Sequence, residues 1–217
     1  MSSGSGVMDN VGDSFAWPFH GPNWFGRTIL QGLIWLIPII GQIALSGWMM
    51  RTIDNYRAGR REVAPAGFHL GRGAPIWFTF LIYGIGLSIP GNVLTNIGNA
   101  QGLGGLTAVG NVVNLAAWVL LTFLSPVLIL FVYRGGFAAG FDFGGIWRTA
   151  TGANTGKTVV AAVVLFVTSI IGGLGAILLL VGLLFTAPYG QAITAGAVTW
   201  YEGVTAGPAR PPTEPTG

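Results

Sequence analysis

The chain has 217 residues, of which 52 % are apolar, 8 % are charged and none is cysteine, and its mean hydropathy is +0.66. A soluble domain carries about 25 % charged residues, so this composition excludes one, and the missing thiols exclude disulfides, thiolate metal sites and cysteine nucleophiles. The formal charge of +3 comes from arginines and one lysine set beside apolar runs, which marks membrane topology; no basic face on a soluble module points to nucleic acid.

Residues 1–14 are polar, with acidic side chains at Asp9 and Asp13. They are expected to be a disordered N-terminus and lack the basic start of a cleaved signal. Three stretches then carry no Asp, Glu, Lys or Arg: Thr28–Met50, Gly73–Tyr133 and Thr158–Tyr201. A mid-bilayer charge costs several kcal/mol, and about 20 apolar residues cross the hydrocarbon core. The first stretch, about 35 Å as a helix, fits one span. The second, about 90 Å, must fold back. Its Gly- and Asn-rich segment Asn96–Gly105 supplies the turn, giving spans near Pro75–Ile97 and Asn111–Tyr133. The third, about 66 Å, also reverses; Gly172–Gly175 and Gly182 with Pro188 are rival turn signals. Spans near Thr158–Leu178 and Leu183–Tyr201 split the difference. The prediction is an all-α polytopic transmembrane helical bundle over residues 15–203, with about five spans, four being the alternative. A Pro-rich disordered tail follows at 204–217.

Pro38, Pro90, Pro126 and Pro188 interrupt these spans and predict kinks. Three Pro-to-aromatic segments, ending at Trp48, Tyr133 and Tyr201, have a faint common pattern. The loops at 51–72 and 134–157 hold most of the basic residues, against an uncharged loop at 98–110. The positive-inside rule puts both basic loops and the C-terminus in the cytoplasm of a cell (inner) membrane, with the N-terminus outside. If Thr28–Met50 is instead a hairpin hinged at Pro38–Gly41, the N-terminus is cytoplasmic too.

Most tryptophans flank predicted span ends, as an interfacial belt does; Trp35 and Trp118 fall within spans and need a neighbour. Phe141–Arg148 reads as a short interfacial element. Expected lipid- or partner-facing residues are Arg51, Arg57, Arg60, Arg61, Trp24, Trp48 and Trp147.

Several motifs then fall in a recognisable order. Phe15-Ala16-Trp17-Pro18-Phe19 with Pro22-Asn23-Trp24, Gly47-Trp48-Met49-Met50-Arg51, Phe141-Asp142-Phe143, and Gly182-Leu183-Leu184-Phe185-Thr186-Ala187-Pro188-Tyr189 together resemble the domain-of-unknown-function 4013 family of prokaryotic multi-pass membrane proteins. The resemblance covers about residues 15–203. The chain departs from the family pattern at Trp48, where Tyr is typical, and at Ala64-Pro65, where Leu-Pro is common. The resemblance implies a multi-pass membrane domain and no activity.

Site chemistry is sparse. His20 and His69 are the only histidines, and neither joins a cluster of ligands. Gly152–Thr158 is one residue short of a phosphate-binding loop and follows no strand; Lys157 fits a side chain snorkelling at a helix end. No metal or cofactor is predicted. Gln31, Gln42, Asn92, Asn114, Ser125, Thr168, Ser169 and Gln191 lie at membrane depth. Of these, Gln42, Asn92, Asn114 and Gln191 form a possible polar cluster, and interhelical hydrogen bonding accounts for them adequately. Small-xxx-small pairs at Gly84/Ser88, Gly136/Gly140/Gly144, Gly172/Ala176 and Ala192/Gly196 offer close-packing faces. The expected partners are anionic headgroups and other membrane subunits. A non-catalytic accessory or scaffold protein is the leading reading, a small transporter or channel-like protein with broken helices the second, and a lipid-acting enzyme the third.

Overall fold

A computed structural model describes residues 8, 10–177 and 179–206. Every regular element among them is a helix: α1 (Asp13–Ala16), a 3₁₀ turn (Trp17–Phe19), α2 (Trp24–Trp35), α3 (Ile40–Arg57), α4 (Leu70–Ala100), α5 (Gly104–Ala139), α6 (Phe143–Ala150), a second 3₁₀ turn (Gly152–Asn154), α7 (Thr155–Ile177) and α8 (Leu179–Ala206). Three segments are long and apolar enough to cross a membrane: Leu70–Ala100, Gly104–Ala139 and Gly152–Gly172.

The second and third charge-free stretches fold back as expected. Helices α4 and α5 form an antiparallel pair that turns at Gln101–Leu103. In its distal half the backbones nearly touch. A Cβ on Gly91 would meet Asn114 Oδ1 at 2.2 Å, and one on Gly110 would meet the Thr95 hydroxyl at 2.4 Å. Helices α7 and α8 pack along their lengths. The turn expected between Leu178 and Leu183 begins at Leu178, which lies outside the described residues.

The first stretch differs from the single span expected of it. No helix runs over Thr28–Met50. Pro38 has no N–H to continue α2, and Ile39 adopts φ 63°, ψ −60°. The Ile40 N–H donates to Pro38 O at 2.6 Å, closing a γ-turn of the rare, strained kind. Helices α2 and α3 therefore form a hairpin. The first turn of α2 returns to the chain that leaves α3: Arg27 Nη1 donates to Glu62 Oε2 at 3.0 Å and to Val63 O at 2.8 Å. The Gly67 N–H donates to Gln31 Oε1 at 3.0 Å. The N-terminal side of this hairpin thus shares an end of the bundle with the 51–72 loop, which corrects the expectation that it lies opposite.

Residues 10–14, expected to be disordered, also join the fold. Ser14 and Met8 are buried against Gly196 of α8, and Trp17 packs edge-on against Tyr56. Helix α8 continues to Ala206, past the expected start of the tail; residues 1–7, 9 and 207–217 lie outside the described ones. Every residue from Ala192 to Thr199 is buried, because α8 is packed against α1, α2, α3, α5 and α7. It is the axis of the bundle.

Helices α3 and α4 approach through glycine. A Cβ on Gly73 would lie 1.8 Å from Ile43 O, and one on Gly47 would lie 2.1 Å from His69 O. The faces foreseen from small-residue spacing divide: an added Cβ meets nothing within 4 Å at Gly84, Gly136 or Gly172, whereas one on Gly140 would lie 2.9 Å from Thr79 and one on Gly196 2.6 Å from Ser14. Replacing Gly73 with Ala forces backbone apart and should destabilise the protein by about 2 kcal/mol. Gly84→Ala, in open space on the same helix, should be neutral or stabilising by about 0.5 kcal/mol. Thermal unfolding of the two variants side by side in detergent checks the contrast.

Candidate functional site

Two features stand out, a charged cluster at one end of the bundle and a cavity below it. The cluster centres on Glu202, near the end of α8, whose side chain is only 10 % exposed. Arg57 Nε lies 3.0 Å from Glu202 Oε2, and Arg134 donates to Glu202 Oε1 through Nη2 at 2.7 Å and Nε at 3.0 Å. Around this triad, Arg57 Nη1 donates to Tyr133 Oη at 3.0 Å, and the phenol donates to Asp54 Oδ1 at 2.5 Å. Arg72 Nη2 donates to the same carboxylate oxygen at 3.1 Å. The guanidinium groups of Arg57 and Arg72 also sit 5.0 and 5.6 Å from the Tyr133 ring centre, within cation–π range. Helices α3, α4, α5 and α8 are thereby tied at one level. The hydrogen bond to Tyr133 pushes the Arg57 pKa above its usual value, opposed by burial and reinforced by Glu202 and Asp54. Burial pushes the neighbouring Tyr56 phenol well above the ordinary tyrosine value, and its oxygen has no hydrogen-bond partner among the described residues.

Helix α5 ends this cluster with a break. Gly136 adopts φ 73°, ψ −165°, and the chain doubles back along α4, where Tyr83 Oη donates to Gly140 O at 2.8 Å. Asp142 caps α6 by accepting from the Gly145 N–H at 2.9 Å. Ile146 and Ala150 are buried, while Phe143 and Trp147 are 65 % and 54 % exposed. The short element expected around Phe141–Arg148 is therefore an amphipathic helix.

The cavity, of about 520 Å³, lies among α2, α3, α4, α5, α7 and α8. Its apolar wall includes Trp35, Trp77, Phe80, Trp118 and Phe166. Ser46, Ser125, Thr168, Ser169, Thr194 and Gln191 provide polar atoms. Among the described residues, no charged side chain lines it.

The structure distributes the predicted site residues unevenly. Arg51 is exposed. Arg57 belongs to the Glu202 cluster. Arg60 donates to Asn55 Oδ1 at 2.6 and 3.2 Å, and Arg61 lies 5.2 Å over the Trp17 ring. Trp24 is half-buried, edge-on to Phe19 and Phe185, and Trp147 is exposed. Trp48 faces neither lipid nor partner. It is 0 % exposed because its indole N–H donates to Ala64 O at 2.8 Å, pinning the 51–72 loop back onto α3. The four amides do not converge. Asn114 donates to Asn92 Oδ1 at 3.0 Å, bridging α4 and α5. Gln42 accepts from the Trp77 indole at 3.2 Å, and Gln191 lines the cavity.

His20 and His69 bond locally, donating to Ala16 O at 2.8 Å and Pro65 O at 3.0 Å. Lys157 donates to Val204 O at 2.5 Å, near the C-terminal end of α8, where a cation offsets the helix dipole. No group of three or more potential metal ligands occurs among the described residues. Sequence reasoning missed Glu202. Its signal was there: it is the one acidic residue of the last helix, next to the end of a charge-free run.

The family described as "Protein of unknown function (DUF4013)" matches residues 30–181. The chain belongs to this family. The match confirms the resemblance read from the motifs, although the segments at 15–24 and 182–189 fall outside it. No curated protein and no solved structure matches the chain. Membership, with the three apolar helices, fits an integral membrane protein and assigns no chemistry.

Removing the Glu202 carboxylate leaves two guanidinium groups without their acceptor. Glu202→Ala should cost about 2 kcal/mol, within the range for hydrogen bonds to charged groups. Arg57→Ala, whose side chain is 45 % exposed and which leaves Arg134 on the carboxylate, should cost less than about 1 kcal/mol. Chemical denaturation of both variants in the same detergent measures the difference.

Proposed function

We propose that this protein is a non-catalytic component of a cell membrane that acts by helix packing, as an accessory or scaffold subunit. The observation that carries this reading is the α4–α5 pair. Its distal half packs closely on itself at Gly91 and Gly110, and its outward faces are broad and apolar: Ile82, Ile85, Ile89, Val93, Val112 and Leu115 are 46–65 % exposed. Lipid covers such a face, and so does another transmembrane helix. Purification in mild detergent with native mass spectrometry tests this reading. A complex containing other membrane proteins is expected, and a strictly lone monomer counts against the scaffold.

In our reading the chain inserts with four spans, α4, α5, α7 and α8, plus the α2–α3 hairpin entering from the charged end. Arginine-rich loops favour the cytoplasmic side, and the juxtaposition of Arg27 with Glu62 supports the same side for the N-terminal segment. Because the chain has no cysteine, single-cysteine labelling can test this directly. Asn10→Cys, Ala58→Cys and Ala153→Cys should react from the cytoplasmic side only, and Gln101→Cys from the opposite side. Labelling of positions 10 and 101 from the same side would refute the hairpin.

The cavity supports a second reading, a small transporter. It lies beside the kinkable Pro126 and Pro188 and below a cluster of ion pairs that closes one end of the bundle. Solute flux into proteoliposomes separates the two readings.

A further inference from the structure

The geometry points to the cavity as a binding site for a neutral amphipath, an aliphatic chain whose head carries a free hydroxyl. This goes beyond either functional reading, since binding there requires neither a partner protein nor transport. The volume of about 520 Å³ falls within the range of about 300–1,000 Å³ usual for ligand pockets.

The chemistry of the wall selects the ligand. No carboxylate, guanidinium or ammonium lines it, so an ionic head would enter without a counter-charge and pay its full desolvation cost. The broad indole and phenyl surfaces of Trp35, Trp77, Phe80, Trp118 and Phe166 suit an alkyl chain.

The polar atoms are biased in one direction. Five of the hydroxyls give their protons to carbonyls of their own helices. Ser46 donates to Gln42 O at 3.0 Å, Ser125 to Leu121 O at 2.7 Å and Thr168 to Leu165 O at 2.7 Å. Ser169 donates to Phe166 O at 2.6 Å and Thr194 to Gly190 O at 3.0 Å. The Trp77 N–H is committed to Gln42. A hydroxyl that has donated keeps its oxygen lone pairs. Thr186 reaches across to Gly172 O at 3.5 Å, so the wall offers mostly acceptors, with the Thr122 hydroxyl and the Gln191 carboxamide as its donors. A ligand that brings its own O–H donor complements that wall; an ester-capped head cannot.

Three of the eight tryptophans, Trp35, Trp77 and Trp118, line the cavity, which gives a direct readout. The full chain is reconstituted in phosphatidylcholine nanodiscs and titrated with dibromostearoyl glycerol, whose bromines quench nearby indoles. Saturable quenching is expected, reversed by unbrominated monooleoylglycerol, with methyl oleate and oleate competing at least about tenfold more weakly. Ala187→Phe, which fills the cavity from α8, should abolish the saturable part while helicity by circular dichroism is unchanged. Linear, unsaturable quenching in the wild-type protein would mean that only bulk lipid reaches these rings and would overturn the site. Equal competition by methyl oleate or by oleate would overturn the hydroxyl preference. Should Ala187→Phe fail to fold, the wild-type titration and its three competitors still decide.

Discussion

A carboxylate or guanidinium in the hydrocarbon core costs several kcal/mol, and that cost arranges this molecule. The ionic contacts gather at one end: Arg27 with Glu62, Arg72 with Asp54, and Arg57 and Arg134 on Glu202. The opposite turn, at Gln101–Leu103, carries none. A group that must stay at the end can still do structural work there. Glu202 accepts from two helices at once, and Tyr133 relays a third contact to Asp54. The half-exposed arginines keep part of their hydration, so the cluster avoids the full penalty of a buried ion pair. Below it, packing relies on apolar contact and on backbones brought together at glycine, as at Gly73 and Gly110.

Much of this architecture was legible in sequence. The two later charge-free stretches gave four helices in the right order, and the Gly- and Asn-rich turn fell where the chain reverses. Their ends were underestimated: α4 and α5 run to Leu70–Ala100 and Gly104–Ala139, because trimming a helix to bilayer thickness removes the turns that project beyond it. The first stretch misled for a physical reason. Its length matches a span, and hydropathy cannot see that Ile39 takes a backbone conformation rare for a β-branched side chain. Arg27 was the local clue, since a charge at that position belongs with the other charges.

The candidate sites were less legible. Arg134 and Glu202 are 68 residues apart, and nothing local in either neighbourhood announces the pairing. Trp48 looked interfacial because it borders an arginine, yet its indole satisfies a loop carbonyl and is enclosed by that loop. The cavity has no motif at all. It arises from six helices that splay around small and hydroxylated side chains, each unremarkable where it stands in the chain.

The central position of α8 bears on how the protein is made. The ribosome releases α2 through α7 before the helix that they surround exists. The α4–α5 pair can assemble early, because its distal half is satisfied by its own two strands of helix. Arg57 and Arg134, in contrast, wait for a carboxylate that emerges after both of them, and the buried run Ala192–Thr199 has no substitute among the earlier helices. Assembly is thus ordered along the chain: one interrupted before α8 would hold inserted helices without the axis that they surround.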